Sequence, residues 1–148
     1  MVRKIIELTM LFGFMLQGCR QDAPTPEQPV WGKQPCDYCA MLLSDRLHGA
    51  QELTAEGDRL FFDDLGCMVA WDAEHPRKTR SRWVRRFDQP PQGTGWLPAE
   101  QAAYVRVPGT PMAFGFAGVA NPLTIRPPQP QVSWTQVVAA VHKRLGVK

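Results

Sequence analysis

The sequence predicts an α+β fold built from small mixed or antiparallel sheets and helices. Three observations lead to this prediction. Short runs of β-branched and aromatic residues alternate with turn signals, two segments carry the start and stop signals of helices, and strands precede a helix in each half of the chain. The part expected to fold, residues 36–148, has about the length of one ordinary domain.

The first half begins with two predicted strands. Residues 41–53 alternate loosely between apolar and polar side chains, and Glu56-Gly57-Asp58 provides a turn after them. Residues 59–63 are short and apolar and follow that turn directly. The pattern therefore predicts a pair of strands joined by a tight turn.

A helix is predicted over residues 65–74. Asp63 and Asp64 precede it and can accept hydrogen bonds from its first free amide groups. Pro76 follows its end, where a proline cannot continue a helix. The paired aspartates are therefore interpreted as a helix cap rather than as catalytic carboxylates.

Two further strands and a second helix are predicted in the rest of the chain. Residues 81–87 and 102–107 have the composition of strands. Ser133-x-x-Gln136 is a capping-box pattern, in which the two side chains satisfy each other's backbone amide groups. Apolar residues then repeat at helical spacing until Gly146, which predicts the end of the helix.

The chain begins with the features of an export signal. Arg3 and Lys4 precede an apolar run over residues 8–16, which is too short to span a bilayer. Leu16-Gln17-Gly18-Cys19 resembles the bacterial lipobox Leu-x-Gly-Cys, whose cysteine receives a lipid. Residues 1–19 are therefore interpreted as a signal peptide with lipidation at Cys19, the alternative being an ordinary signal with a chance cysteine.

Residues 20–35 are interpreted as a proline-rich tether, because prolines alternate there with polar and charged residues that bury little apolar surface. Together with lipidation of Cys19, this segment predicts a protein anchored on the periplasmic side of a bacterial membrane, favouring the outer membrane. The membrane contact would then be made through the N-terminal lipid.

Soft donor atoms are concentrated directly after this segment. Cys36, Cys39 and Met41 place two thiols and a thioether within six residues. Thiolates and thioethers select Cu(I), zinc or iron–sulfur clusters over hard ions, and a thioether favours Cu(I) because zinc sites use Cys, His and carboxylate ligands. In an extended strand, Cys39 and Met41 would share one face, so they are expected to bind Cu(I) together, with Cys36 as a further candidate.

Two residues later in the chain are candidates for completing the site. Met112 lies in a loop rich in proline and glycine, where a methionine has little packing reason to occur, although a position at the edge of the core is the alternative. Cys67 lies in the first turn of the predicted helix, where it is a possible ligand, but a packing role is favoured because small buried cysteines are common. Zinc is a weaker alternative, requiring all three cysteines and His48 or His75.

The number of cysteines leaves other chemistry open. If Cys19 carries a lipid, three cysteines remain, and an odd number indicates a free or reactive thiol. A structural disulfide between Cys36 and Cys39 is one alternative. A thiol–disulfide oxidoreductase using the Cys36-x-x-Cys39 pair is another, and a metal-storage protein with no client is a third.

The charge distribution bears on the class of partner that the protein binds. The net charge is +3, and basic residues crowd together just after the first predicted helix, namely Arg77, Lys78, Arg80, Arg82, Arg85 and Arg86. A solvated strand edge is the simplest explanation, and contact with anionic lipid or an acidic partner is the alternative. Nucleic acid is not expected as a partner of an exported lipoprotein. No Ser/His/Asp array or phosphate-binding loop is present, so a non-enzyme is predicted.

Together these residues resemble the NosL family of copper-binding lipoproteins, accessory factors of nitrous oxide reductase. The resemblance spans roughly residues 35–118 and depends on motifs that occur in this order: Cys36-Asp37-Tyr38-Cys39-Ala40-Met41, Phe61-Phe62-Asp63-Asp64-Leu65-Gly66-Cys67-Met68, Tyr104-Val105 and Thr110-Pro111-Met112. The sequence departs from the family after Met112, where Ala113 replaces an expected glycine.

The resemblance implies a periplasmic copper chaperone and a fold of two small ββαβ-like units. It implies that Cys39, Met41 and Met112 bind Cu(I), and that the ion is delivered to copper-enzyme maturation machinery or to an apo copper enzyme. Nitrous oxide reductase is the client that the resemblance favours.

Overall fold

The computed structural model describes residues 23–90, 92–93 and 95–147. The predicted signal peptide and Cys19 lie outside the described residues. Within them, two antiparallel sheets and two α-helices form an α+β fold, so the predicted fold class is confirmed. None of the helices in this part of the chain has both the length and the apolar character needed to cross a membrane.

The first half of the domain is a four-stranded antiparallel sheet with one helix, in the strand order β2-β1-β3-β4. Its central strand, β1, pairs on both sides, so that Ala50 lies opposite Phe62 on one neighbour and Val84 on the other. The elements are β1 (Ala50–Thr54), β2 (Arg59–Phe62), α1 (Leu65–Glu74), β3 (Thr79–Arg85) and β4 (Trp96–Pro98).

The second half is a two-stranded sheet followed by a helix, formed by β5 (Ala103–Arg106), β6 (Phe116–Val119), a 3₁₀ turn at Pro122–Thr124 and α2 (Trp134–Leu145). The first half follows the expected ββαβ order. The second half does not, because no strand follows α2 within the described residues and only an isolated bridge joins Val132 to Tyr104.

The core lies where α1 packs against α2, β1 and β2. Every residue of α1 from Leu65 to Ala70 is buried, so the first turns of this helix are enclosed on all sides. The largest fully buried hydrophobic side chains of this core are Tyr104, Phe62, Phe116, Leu43, Leu65 and Met68. Groups that α1 carries near its N-terminus are thereby placed in the interior of the domain.

Both predicted helix starts are confirmed. The Asp64 carboxylate accepts a hydrogen bond from the Gly66 amide at 2.8 Å and caps α1. Ser133 and Gln136 form the predicted capping box, and Gly146 ends α2 with a left-handed φ of 70°. Each of these signals acts within one turn of the chain, which is why the sequence was sufficient to locate them.

The predicted strand over residues 41–53 is wrong except at its end. Only residues 50–53 belong to β1, and residues 41–49 form an irregular loop. The loop is held by long-range contacts, since the Ser44 amide donates to the Asp63 carboxylate at 3.2 Å and the Gly49 carbonyl accepts from the Arg85 amide at 2.8 Å. These contacts satisfy the backbone of the loop without a paired strand.

Two strands were missed. β4 has three residues and ends in Pro98, and β6 has four residues, including Gly118. Proline and glycine both disfavour strands locally. At Gly118, an added Cβ would lie 2.6 Å from the Val84 side chain, so glycine is required where β3 approaches β6 this closely. Because glycine has a low strand propensity, the sequence pattern does not indicate β6.

The end of the predicted tether contacts the domain. Gln51 exchanges two hydrogen bonds with the backbone of Glu27, at 2.9 and 2.8 Å. The Glu27 carboxylate also lies 3.0 Å from the Arg59 guanidinium, which donates to the Thr25 carbonyl at 3.0 Å. The chain is therefore attached to the sheet from Thr25 onward.

Arg85 forms a second attachment of this segment. Arg85 is 1% exposed, and its guanidinium lies 5.5 Å from the centroid of the Trp31 ring and 5.0 Å from that of the Trp96 ring. It donates to the carbonyls of Arg46, at 2.6 Å, and Gly93. Within the described residues it has no acidic partner, so the two indole faces supply much of the compensation for its buried charge.

The basic cluster after α1 is therefore only partly a solvated edge. Arg82 contacts three carboxylates, those of Asp72 at 2.8 Å, Glu52 at 3.3 Å and Glu100 at 3.3 Å. Arg86 pairs with Asp88 at 3.0 Å. Of the six basic residues, Arg85 is buried, and Arg82 and Arg86 are partly buried and paired with carboxylates. The other three, Arg77, Lys78 and Arg80, are exposed.

Glu52 is fully buried among these charges. It accepts a hydrogen bond from the Thr79 hydroxyl at 2.8 Å. Burial, and next the neighbouring Asp72 carboxylate, raise the pKa of Glu52 from 4.5 to about 7, against the opposing effects of Thr79 and Arg82. One guanidinium serves three carboxylates here, so the most enclosed of them retains a proton most readily.

We predict that Trp31→Ala lowers the free energy of unfolding by about 2 kcal/mol, because Arg85 would lose one of the two rings that cover its charge. Urea denaturation measures this change. Val30→Ala is the matched control, since Val30 is 60% exposed and its loss is expected to cost less than about 0.5 kcal/mol. Equal stability of the two variants would contradict the attachment of this segment to the domain.

We also predict a pH dependence of stability that is due to Glu52. A carboxyl pKa that is higher in the folded state means that the folded protein binds more protons, so the stabilisation is complete below pH 4.5 and is lost as the pH rises to about 7. Glu52→Gln should remove this decline when unfolding is measured across that range. Glu56→Gln, at an exposed position, should follow the wild type. A decline that persists in Glu52→Gln would contradict the assignment.

Candidate metal centre

Three cysteines from two separate parts of the chain meet at the edge of the core. The sulfur atoms of Cys36, Cys39 and Cys67 all lie within 4.8 Å of one another, and all three are free thiols. A metal–sulfur bond of about 2.3 Å places neighbouring sulfur ligands roughly 4 Å apart. The cluster therefore has the dimensions of a three-sulfur metal site and needs only a small contraction.

The cluster differs in exposure from one side to the other. Cys36 is 3% exposed and Cys67 is 0% exposed, whereas Cys39 is partly exposed. An ion held here would therefore be covered by protein on two sides and would be approached past Cys39. The alternative of a structural disulfide between Cys36 and Cys39 is not formed, because both residues are free thiols in the structure.

The loop over residues 36–41 brings two of the thiols to one place. The Cys36 amide donates to the Met41 carbonyl at 2.7 Å, and the Ala40 amide donates to the Cys36 carbonyl at 3.0 Å. Ala40 has a left-handed φ of 60°. The extended conformation that would place Cys39 and Met41 on one face is therefore not formed, because the chain reverses at Ala40.

Asp37 fixes this loop to the end of β2. Its carboxylate accepts a hydrogen bond from the Phe61 amide at 2.7 Å, and its amide donates to the Phe61 carbonyl at 2.9 Å. Because α1 begins just after β2, the same strand end positions both the loop with Cys36 and the helix with Cys67. This arrangement explains how residues about thirty positions apart come into contact.

Cys67 occupies the first turn of α1, as predicted, and its amide donates to the Asp64 carbonyl at 2.9 Å. The sequence favoured a packing role for this residue. Cys67 is fully buried in the core, as a packing role requires, and its sulfur also lies in the thiol cluster. Cys36 and Cys67, which the sequence analysis treated as secondary candidates, are therefore the two enclosed members of the cluster.

The Cys36 thiol is the most acidic of the three. A hydrogen bond from the Cys67 thiol is the main cause that lowers the pKa of Cys36 from 9.0 to about 5, and the backbone amides of Cys39, Asp63 and Tyr38 lower it further. Burial acts in the opposite direction but does not prevail. The site therefore holds a thiolate at neutral pH, and the thiolate is the form that binds metal.

The other two thiols retain their protons. The hydrogen bond to Cys36 is the main cause that raises the pKa of Cys67, and burial adds to it. Burial is the main cause that raises the pKa of Cys39, although the Met41 amide opposes it. A metal ion bound by all three sulfur atoms would consequently displace two protons.

Asp63 adds a negative group next to the cluster, which the sequence analysis treated only as a helix cap. Its side chain is 1% exposed, and burial, together with the Cys36 thiolate, raises its pKa. One carboxylate oxygen, Oδ2, has no hydrogen-bond partner among the described residues. A buried, incompletely bonded carboxyl beside a thiolate favours the binding of a cation.

The two candidate thioether ligands differ in exposure. Met41 is 49% exposed and follows Cys39 by two residues. Met112 is partly buried and packs against the same core as Cys39, and its amide donates to Asp64 at 3.1 Å. Their binding of a metal stays a prediction, whereas the meeting of the three thiols is a feature of the structure.

Neither histidine considered for a zinc site joins the cluster. His48 is buried beside the Phe87 ring and lies 2.9 Å from Asp45, and His75 stacks on Trp71 at the end of α1. Within the described residues, the group able to hold a metal through Cys, His or acidic side chains contains the three cysteines alone. A four-ligand zinc site of the expected type is therefore not formed.

The fold is similar to that of a solved copper chaperone. The crystal structure of the copper chaperone NosL from Shewanella denitrificans superposes with a TM-score of 0.56, covers 84% of this chain and 91% of that chain, and has 12% sequence identity. At this identity the likeness concerns the fold alone. No family model matches the sequence, and no curated protein matches it.

We predict that Cys67→Ala raises the pKa of Cys36, because the thiol that donates to the Cys36 thiolate would be removed. Ultraviolet thiolate absorbance of the metal-free protein, followed as a function of pH, measures this change. The wild type should show one thiolate forming near pH 5, and Cys67→Ala should show it at a higher pH. An unchanged titration in Cys67→Ala would contradict the proposed donor.

Proposed function

We propose that this protein is a copper chaperone, which binds one Cu(I) ion at the thiol cluster and transfers it to an acceptor protein. The observation that carries this proposal is the convergence of three sulfur atoms within 4.8 Å at a site that is enclosed on two sides. The protein acts as a carrier in this proposal, and the ion is its cargo rather than a catalytic cofactor.

The donor set favours Cu(I) over zinc. Cu(I) is a soft ion that accepts thiolates and thioethers, and two or three such ligands satisfy it. Structural zinc normally requires four ligands, and no histidine of the described residues reaches the cluster. Met41 and Met112 would supply thioethers at the rim, where an uncharged ligand needs no deprotonation.

The difference in exposure across the site suits transfer by ligand exchange. Cys36 and Cys67 hold the ion from the interior, while Cys39 and Met41 lie on the accessible side. An incoming donor from an acceptor protein would bind the ion before an outer ligand leaves it. The ion therefore never needs to be released into solution.

The proposal also covers where the protein acts in the cell and which protein receives the ion. Residues 1–19 support export and lipidation at Cys19, which would hold the protein at the periplasmic side of a bacterial membrane. The motif resemblance stated above and the shared fold with a copper chaperone support delivery to copper-enzyme maturation machinery or to an apo copper enzyme. Nitrous oxide reductase is the proposed client.

A thiol–disulfide oxidoreductase is less well supported. In redox proteins of that type, a Cys-x-x-Cys pair follows a strand and opens a helix. Here Cys36 and Cys39 lie in a turn that precedes β1, and the third thiol, Cys67, lies against them. A dithiol–disulfide reaction uses two thiols, whereas three converging sulfur atoms are suited to binding a metal ion.

We predict that the protein binds one Cu(I) per chain. Cys39→Ser should weaken binding by more than the roughly 10–100-fold that is typical of changes outside the ligand shell, and Cys36→Ser and Cys67→Ser should do the same. Met41→Leu and Met112→Leu should each weaken it by about tenfold. Competition with a chromogenic Cu(I) chelator under anaerobic conditions measures these affinities.

Met68→Leu is the matched control for the two methionine variants. Met68 is fully buried in α1, one residue after Cys67, and a swap between side chains of similar volume is expected to be tolerated. Its Cu(I) affinity should equal that of the wild type. If the three cysteine variants also bind Cu(I) as the wild type does, the proposed function is wrong.

A further inference from the structure

Asp64 connects two parts of the candidate site that are far apart in the sequence. One carboxylate oxygen, Oδ1, accepts the Gly66 amide at 2.8 Å, and the other, Oδ2, accepts the Met112 amide at 3.1 Å. The side chain is 0% exposed. A single buried carboxylate thus bonds both the helix start that carries Cys67 and the loop that carries Met112.

The loop around Met112 is a tight turn with its own internal bonds. The Ala113 amide donates to the Thr110 carbonyl at 2.8 Å, and the Gly115 amide donates to the Thr110 hydroxyl at 3.1 Å. Ala113 has a left-handed φ of 56°, a conformation that costs a non-glycine residue of order 1–3 kcal/mol. External contacts must therefore maintain this shape and place it against α1.

Contacts on the far side of the loop hold it against the same helix turn. The Arg144 guanidinium of α2 donates to the Ala113 carbonyl and lies 4.8 Å from the centroid of the Phe114 ring. The ring in turn covers Gly66, where an added Cβ would lie 2.1 Å from it. The loop is thus pressed against the N-terminus of α1, and Asp64 fixes its position there.

We propose that Asp64 is a positioning residue for metal binding, which sets the place of Met112 relative to Cys67. The inference rests on the proposed function, in which Met112 supplies a thioether to Cu(I). A carboxylate suits this task because each of its two oxygens accepts one amide, whereas the amide of an asparagine offers a single acceptor oxygen. The helix cap and the methionine loop consequently share one side chain.

Asp64→Asn tests the proposal, because asparagine caps a helix as well as aspartate does but replaces one of the two accepting oxygens by an NH2 group, which cannot accept a backbone amide. We expect Cu(I) affinity to fall roughly 10–100-fold, the range for partners that orient ligands. In a Met112→Leu background, Asp64→Asn should cause little further loss, since the residue whose position it controls is already absent.

A measurement on the metal-free protein separates the position of Met112 from its role as a ligand. The rate of Met112 oxidation by hydrogen peroxide, followed by mass spectrometry, reports how well the thioether is held and covered. Asp64→Asn should raise this rate severalfold. Met41, which is already 49% exposed, should oxidise at the same rate in both proteins and provides an internal reference.

Asp88→Asn is the matched control. The Asp88 side chain is 1% exposed, and its two oxygens accept the amides of Ala120 and Asn121 at 3.0 and 3.1 Å. It is therefore a second buried carboxylate that bonds two backbone amides, and its partners include none of the proposed ligands. Asp88→Asn should leave both Cu(I) affinity and Met112 oxidation unchanged.

The outcomes distinguish this inference from the proposed function. Unchanged affinity and oxidation in Asp64→Asn, full additivity with Met112→Leu, or an equal loss in Asp88→Asn would overturn the positioning role. If Asp64→Asn exposes Met112 to oxidation while Met112→Leu binds Cu(I) as the wild type does, the ligand role of Met112 is overturned. Loss of Cu(I) binding in the cysteine variants would in that case still support the proposed function.

Discussion

The paired hydrogen bonds between Asp37 and Phe61 are the interaction on which the candidate site depends. They attach the 36–41 loop to the last residues of β2, and Asp63 and Asp64 then start α1 only two residues beyond Phe61. One strand end thus carries both the loop with two thiols and the helix with the third. Phe61 is 7% exposed and packs in the core, so the loop is attached to a buried residue although Asp37 itself is exposed.

Charge is distributed so that the interior around the thiols favours a cation. A thiolate at Cys36 and the carboxyl of Asp63 face the same region, and no arginine or lysine pairs with either of them among the described residues. Elsewhere, the partly buried Arg82 is paired with three carboxylates, and the buried Arg85 contacts two indole rings.

Backbone strain occurs beside both candidate thioether ligands. Ala40 precedes Met41 and Ala113 follows Met112, and these are the non-glycine residues with left-handed φ angles in the described part of the chain. Such strain persists only where the surroundings determine the conformation. At Ala40 the loop bonds of Cys36 supply this constraint, and at Ala113 the contacts of Asp64 and Arg144 supply it. Both methionines therefore lie next to turns whose backbone conformation is fixed by contacts with the rest of the domain.

The sequence by itself determined the features that depend on neighbouring residues: the α+β class, the caps at Asp64 and Ser133, the turn before β2, and the soft-donor chemistry of the cysteines. The tertiary structure decided which sulfur atoms meet. Cys67 joins Cys36 because Asp37 bonds to Phe61, a contact across 24 positions that no local pattern indicates. Contacts of the same kind replace the expected strand over residues 41–49 with a loop and create β4 and β6, because long-range pairing can outweigh a propensity difference of about 1 kcal/mol.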